Sequence, residues 1–384
     1  MSRVNKYLAS VLTPYLKKVQ ENFQEDTEKN EHFNKSDPIL KGRIRAVTSQ
    51  SSLEEALGES EVHLFQIEIT EGDETDFTIQ RGKEFSDTTV EALGAVNVVV
   101  KHPGFVITSK SGASLYIYEG CVGKATDRGV VYVFDRGRGE ASNHGTVTVD
   151  SGGWGFAYED GFVTVTAGGQ GEAHTGGVVT VETDGQGYAV KGGSVIVKAG
   201  GDGYAHKDGI VTVEADGKGH TEVEGGGVIV KSGGQGYAKG TGGVIVQEGG
   251  RGYSETGGMF VVKAGGRGFA NQGGTGGVDE EGVGFASQGG WLMVSAGGLG
   301  HAQEGGQIAL QGGGTAFVHS GGKVMVEENG ASVKIVADKE RIETWNRFVY
   351  LDGKLAVCGS AENDPIPDDV TVTDERDQPI ELSQ

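Results

Sequence analysis

Leu115, Val131, Val147, Val163, Val179, Val195 and Val211 stand sixteen residues apart. After one inserted residue near Gly225–Gly227, the same spacing resumes at Val228, Val244, Phe260, Gly276, Leu292, Ile308 and Val324. Self-similarity at so short a fixed period restricts the chain to a repeat architecture. Two residues after each of these positions comes a second apolar one, from Ile117 and Val133 to Leu310 and Val326. This alternation, rich in Val and Ile, is that of a β-strand with one buried face. The other half of the unit reads Gly-x-Gly-aromatic-Ala, as in Gly153 to Ala157, Gly185 to Ala189 and Gly234 to Ala238. It makes a second short strand bounded by corners such as Gly176-Gly177, where glycine takes positive φ without a Cβ penalty. No part of the repeat has the 3.6-residue spacing of a helix. The expectation is an all-β, parallel β-solenoid of about fourteen 16-residue, two-strand coils. Stacked about 4.8 Å apart, they would extend on the order of 65 Å.

Column chemistry assigns the faces. The position after the aromatic one is small throughout: Ala141, Ala157, Ala173, Ala189, Ala205, Thr221, Ala238, Ser254, Ala270, Ala286 and Ala302. A cramped interior demands this. The neighbouring column mixes aromatics with Glu140, Glu172, His220 and His301, which a thin core would not accept unpaired. The alanine and glycine face is therefore expected to pack against the valines, with the aromatics pointing to solvent. Beyond the valine strand, Glu182, Lys198, Glu214 and Lys231 alternate in sign at one-coil steps, so stacked neighbours attract.

Seventy of 384 residues are glycine and only six are proline, which excludes collagen. The net charge is −21, with acids densest toward the C-terminus and no clustered Lys/Arg track for a phosphate backbone. Nucleic-acid binding is not expected. Neither is a membrane span, since no stretch approaches ~18 apolar residues, nor a cleaved signal peptide, since Pro14 and Lys17-Lys18 interrupt the first apolar run. The chain is expected to be cytoplasmic or virion-associated. Cys121 and Cys358 form neither a disulfide framework nor a metal pattern.

The ends differ from the body. Residues 1–45 read as a helical segment and linker, with apolar spacing at Val4, Leu8, Val11, Tyr15, Val19 and Phe23. Residues 46–97 read as an N-terminal cap with a short helix over Ser52–Leu57, and 98–337 as the solenoid body. Residues 338–360 read as a C-terminal cap closed by a hairpin at Asp352-Gly353. The acidic stretch 361–384 reads as extended or disordered.

Candidate functional residues are few. An aromatic ladder of Phe156, Tyr188, Tyr204, Tyr237, Tyr253, Phe269 and Phe285, interrupted by His220, forms an exposed stripe that either stacks to shield the thin sheet or, as an apolar patch, binds a partner. Lys218, Arg251 and Arg267 flank it and could add cation–π contacts. Gly276 to Glu281 reads as an irregular coil in place of a regular strand, its carboxylates Asp279, Glu280 and Glu281 able to hold a cation or act as acid and base. No catalytic residue, cofactor or metal site is expected. His174 and His206 lie two coils apart, too far to share one zinc. The Gly-Gly-x-Gly spacing is that of calcium-binding nonapeptide repeats, but alanine (Ala189, Ala205, Ala238, Ala270) stands where those repeats place a ligating aspartate.

The unit Gly226–Ala238 (Gly-Gly-Val-Ile-Val-Lys-Ser-Gly-Gly-Gln-Gly-Tyr-Ala) resembles the short-period, glycine-rich β-solenoid repeats of bacterial and phage proteins. The resemblance covers about residues 98–337 and implies a rigid spacer, adhesin, fibre component or interaction scaffold. The leading expectation is a non-enzymatic structural or interaction protein that presents flat repeat faces to a macromolecular partner. Protein docking or self-association would run through the N-terminal helices, with a glycan as another possible ligand. The rivals are an ice- or carbohydrate-binding solenoid, on the strength of Thr148, Thr164, Thr180 and Thr212; an acidic DNA mimic; and a glycan-active enzyme centred on Asp279–Glu281.

Overall fold

The computed structural model describes residues 44–58, 66–69, 76–79, 89–101, 106–221, 225–337, 342–345 and 347–382. The helices expected within residues 1–45 lie outside this set. The described chain is an all-β parallel solenoid in which two sheets face one another and each coil contributes one strand to each. In the alanine sheet, Gly187 pairs with Gly203 and Ala189 with Ala205. In the valine sheet, Val195 pairs with Val211 and Val197 with Val213. Parallel in-register pairing of this kind rules out separate hairpins. The inserted residue near Gly225–Gly227 is absorbed at a corner, since Val211 pairs with Val228 and the register then continues.

Burial follows the two-residue alternation. Val147, Val149, Ala141 and Ala157 are fully buried, whereas Thr146, Thr148, Glu140 and Phe156 are half-exposed. The lumen is so narrow that one column must be glycine. A Cβ on Gly187 would lie 2.6 Å from Cγ atoms of both Val181 and Val195. Where the alanine column carries a hydroxyl, a backbone carbonyl accepts from it: Ser254 Oγ donates to Thr275 O at 3.0 Å, and Thr221 Oγ1 to Tyr237 O at 3.4 Å. Corners are two residues long and left-handed, and not only at glycine. Asn143 and His144 have φ of 46° and 64°.

Coil pairing starts before residue 98. Ile44–Val47, Gln66–Ile69 and Thr89–Leu93 are successive parallel strands of the alanine sheet, and Asp76–Ile79 pairs with Asn97–Val100 in the valine sheet. The helix Gln50–Gly58, whose expected core was Ser52–Leu57, buries Leu53, Ala56 and Leu57. The side-chain amide of Gln50 accepts from Thr78 N–H at 2.8 Å and donates to Thr78 C=O at 2.9 Å. One side chain thus imitates the missing neighbour of the first valine-sheet strand.

At the other end, Phe348–Leu351 and Lys354–Cys358 form the antiparallel hairpin, turning at Asp352 and Gly353 with φ of 51° and 71°. Its second strand joins the valine sheet through Val324 and Val357. Within 361–384, expected to be extended or disordered, the structure describes an extended strand. Thr371–Thr373 is the last strand of the alanine sheet, paired with Ser332–Ile335. Ile366, Val370 and Val372 are buried there, and acids of the same stretch meet body cations: Glu362 with Lys323, Asp368 with Arg347 and Asp377 with Lys334. Three apolar side chains that cover an open rung outweigh an acidic, proline-containing composition.

Candidate functional site: the aromatic ladder

The aromatic position faces outward in each coil, and parallel register sets successive rings directly above one another. From Tyr188 the stack runs through Tyr204, His220, Tyr237, Tyr253, Phe269, Phe285 and His301 to Phe317. Centroids are separated by 5.1 Å at Tyr188–Tyr204 and 4.6 Å at His301–Phe317, with ring planes within 17° of parallel. His220 does not interrupt the ladder. It stacks at 5.1 Å on Tyr204 and at 4.8 Å on Tyr237. A neutral imidazole is flat and aromatic, so it fills the position as a phenyl ring would.

Phe156 is not part of this stack, because Glu172 lies between it and Tyr188 in the column. It belongs to a separate cluster, 6.5 Å from both Trp154 and Tyr158, with the Arg138 guanidinium 4.3 Å from its ring centre. The cation–π contact therefore falls on Arg138, while Lys218, Arg251 and Arg267 flank the ladder without lying over its rings.

The rings are half-buried. Their faces are occupied by one another, so the strip offers ring edges and tyrosine hydroxyls to solvent. Two of those hydroxyls are oriented by the preceding column: Tyr188 Oη donates to Gln186 Oε1 at 3.1 Å and Tyr237 Oη to Gln235 Oε1 at 2.7 Å. Each stacked pair contributes about 0.5–1.5 kcal/mol beyond its area. The flanking column then brings Arg251 and Arg267 into register on adjacent coils, both exposed. Like charges directly opposite are unfavourable. In the column after the valine strand opposite charges meet instead, Lys198 with Glu182 and Lys231 with Glu214, each at 3.3 Å.

The carboxylate group at 279–281 does not have the form expected. Thr275–Val278 is a regular strand paired on both sides, not an irregular coil. Gly276 is needed there because the Phe260 ring of the preceding coil fills its side-chain space. Asp279 follows the strand, and Glu280 and Glu281 are exposed corner residues, Glu281 with φ of 60°. His174 Nε2 lies 2.9 Å from Glu172 Oε1, a contact within its own coil. The Thr148–Thr164–Thr180 column gives way to Ile196 on the next rung.

One contact escaped sequence reasoning. His301 Nδ1 lies 3.3 Å from Nε2 of His319, which follows the strand of the next coil. Burial holds both imidazoles below the usual histidine value, and each also faces the other. The unfolded chain therefore binds more protons than the folded one between the lowered values and the ordinary 6.5. Stability is full above that value and declines as pH falls below it. The melting temperature is expected to drop between pH 7 and pH 5, and to drop less in His301→Phe, which keeps the stack between Phe285 and Phe317. Calorimetry across that range checks this, and parallel pH profiles for the two proteins would refute it.

No family model and no curated protein matches the chain. Among solved structures, a TibC-catalyzed hyper-glycosylated TibA55-350 fragment aligns over 86% of this chain and 97% of its own, with 18% sequence identity and a TM-score of 0.29.

Proposed function

We propose that this chain is a non-catalytic interaction rod whose ladder face receives a protein partner bearing acidic groups. The observation that carries this reading is the in-register pair Arg251 and Arg267 beside Tyr253 and Phe269. Two exposed guanidiniums on adjacent coils gain most when an external carboxylate bridges them. Tyrosine and arginine are also the residue types that dominate binding energy at protein interfaces. Parallel rungs with two-residue corners hold these side chains on a stiff backbone, so little ordering entropy is lost on docking.

The test is differential capture from an extract of the source cells, using the intact chain, Arg251→Glu/Arg267→Glu, Tyr253→Ser and a chain lacking residues 1–42. Partners on the ladder are lost, at least tenfold, in the arginine and tyrosine variants, and retained without the N-terminal segment. Their binding also weakens with added salt. If loss occurs only on removing residues 1–42, docking belongs to that segment and the ladder reading fails.

A further inference from the structure

We propose that His301 and His319 form a two-histidine site for a divalent transition-metal ion, a site independent of the ladder's role in partner binding. The argument starts from spacing. Two imidazole nitrogens held about 2.0–2.1 Å from one tetrahedral metal are themselves about 3.3 Å apart. His301 Nδ1 and His319 Nε2 are separated by 3.3 Å, with ring planes 26° apart. Rotation of the His319 ring about its side-chain bonds would have to turn the two lone pairs toward one ion.

The site requires one particular tautomer of each ring. His301 ligating through Nδ1 keeps its proton on Nε2, and His319 ligating through Nε2 keeps its proton on Nδ1. Burial lowers the proton affinity of both rings, and the neutral form is the ligand. His301 is clamped between Phe285 at 4.7 Å and Phe317 at 4.6 Å. Half of the site is thus preorganised by the ladder, which lowers the entropy lost on binding. The two histidines occupy different outward columns, one coil apart and two residues offset, so this diagonal contact is absent from the other coils. His174 and His206, in one column but two coils apart, have no such approach.

Imidazole donors select Zn²⁺, Cu²⁺ and Ni²⁺ over Mg²⁺ and Ca²⁺. Among the described residues no group of three or more His, Cys, Asp and Glu gathers to hold a metal. The remaining coordination positions therefore face solvent, and binding should be weaker than at a four-ligand structural site. An ion held there can accept a further donor from outside the chain.

The experiment is titration of the untagged full chain with Cu²⁺, read by electron paramagnetic resonance, and with Zn²⁺, read by calorimetry. The expected result is one site per chain with nitrogen hyperfine structure from two imidazoles. His301→Phe, which preserves the stack, and His319→Gln should each lower its affinity at least tenfold while circular dichroism stays unchanged. Binding should also weaken as pH falls toward 5. Unchanged affinity and hyperfine pattern in the double variant would overturn the assignment, as would the lack of any one-equivalent site in the parent. Neither result bears on partner capture by the arginine pair.

Discussion

Gly276→Val is expected to destabilise the body severely, and Phe260→Val is expected to rescue it. In most coils the first inward position of the valine strand is Val, Leu or Ile, but here a large residue and a missing side chain sit on successive rungs. A Cβ at Gly276 would stand 2.2 Å from Phe260 Cζ, and one at Gly268, on the opposite sheet, 2.2 Å from Cε2. The ring is enclosed from both sides and fully buried, so it has no space into which to move. Overpacking of this kind costs about 1–3 kcal/mol or more. Phe260→Ala leaves a void costing about 3–5 kcal/mol. The double substitution Phe260→Val/Gly276→Val restores the ordinary valine column and should recover most of the loss. The coupling should lie at the upper end of the ~0.5–3 kcal/mol seen for residues in contact. Denaturant melts of the four proteins measure it, and additive effects would show that ring and glycine do not share one space.

The second large effect is expected at the N-terminal cap. Leu53 is fully buried, and Leu53→Ala should cost about 2–5 kcal/mol. Gln50→Ala removes a smaller quantity of a different kind. It leaves both backbone groups of Thr78 unpaired, at about 1–3 kcal/mol for each group that is kept from water, and it reopens a strand edge. Such an edge templates pairing with other chains. Hydrogen exchange across Asp76–Ile79 should accelerate in both variants, and light scattering should reveal concentration-dependent association. Gln50→Glu isolates the parts, since a carboxylate still accepts from Thr78 N–H but has nothing to donate to Thr78 C=O. Its exchange should fall between parent and alanine variant. If Thr78 exchange is the same in all of them, the cap is not what protects that edge.

The body was legible because every coil obeys one geometric constraint. A two-residue period sets the faces, the narrow lumen favours glycine and small residues opposite valine through most coils, and register carries each choice to the next rung. This is why the column of Ala189, Ala205 and Ala238 could be assigned inward and Tyr188, Tyr204 and Tyr237 outward. The ends were less legible. The steps from Ile44 to Gln66 and from Gln66 to Thr89 exceed sixteen residues, so those coils do not align with the periodic ones. Composition did not show how the segment after 361 attaches, because acids and prolines there outnumber the three apolar residues that bury. The ladder was legible as a stripe, but Phe156 was grouped with it although Glu172 divides them, and His220 was read as a gap by residue type when geometry makes it a rung. The His301–His319 pair was hidden because it runs diagonally between columns. A search for residues one coil and two positions apart, rather than one coil apart, would have exposed it.

The step between rungs is sixteen residues through most of the body, so each coil meets its neighbours through nearly the same surface. A molecule built this way resembles a graduated scale. Whole units could be gained or lost by duplication or deletion without redesigning what remains, and reach could thereby be adjusted in fixed increments. Phe260 with Gly276 is the exception. That stretch can only be inherited intact, which makes it a fixed mark on the scale.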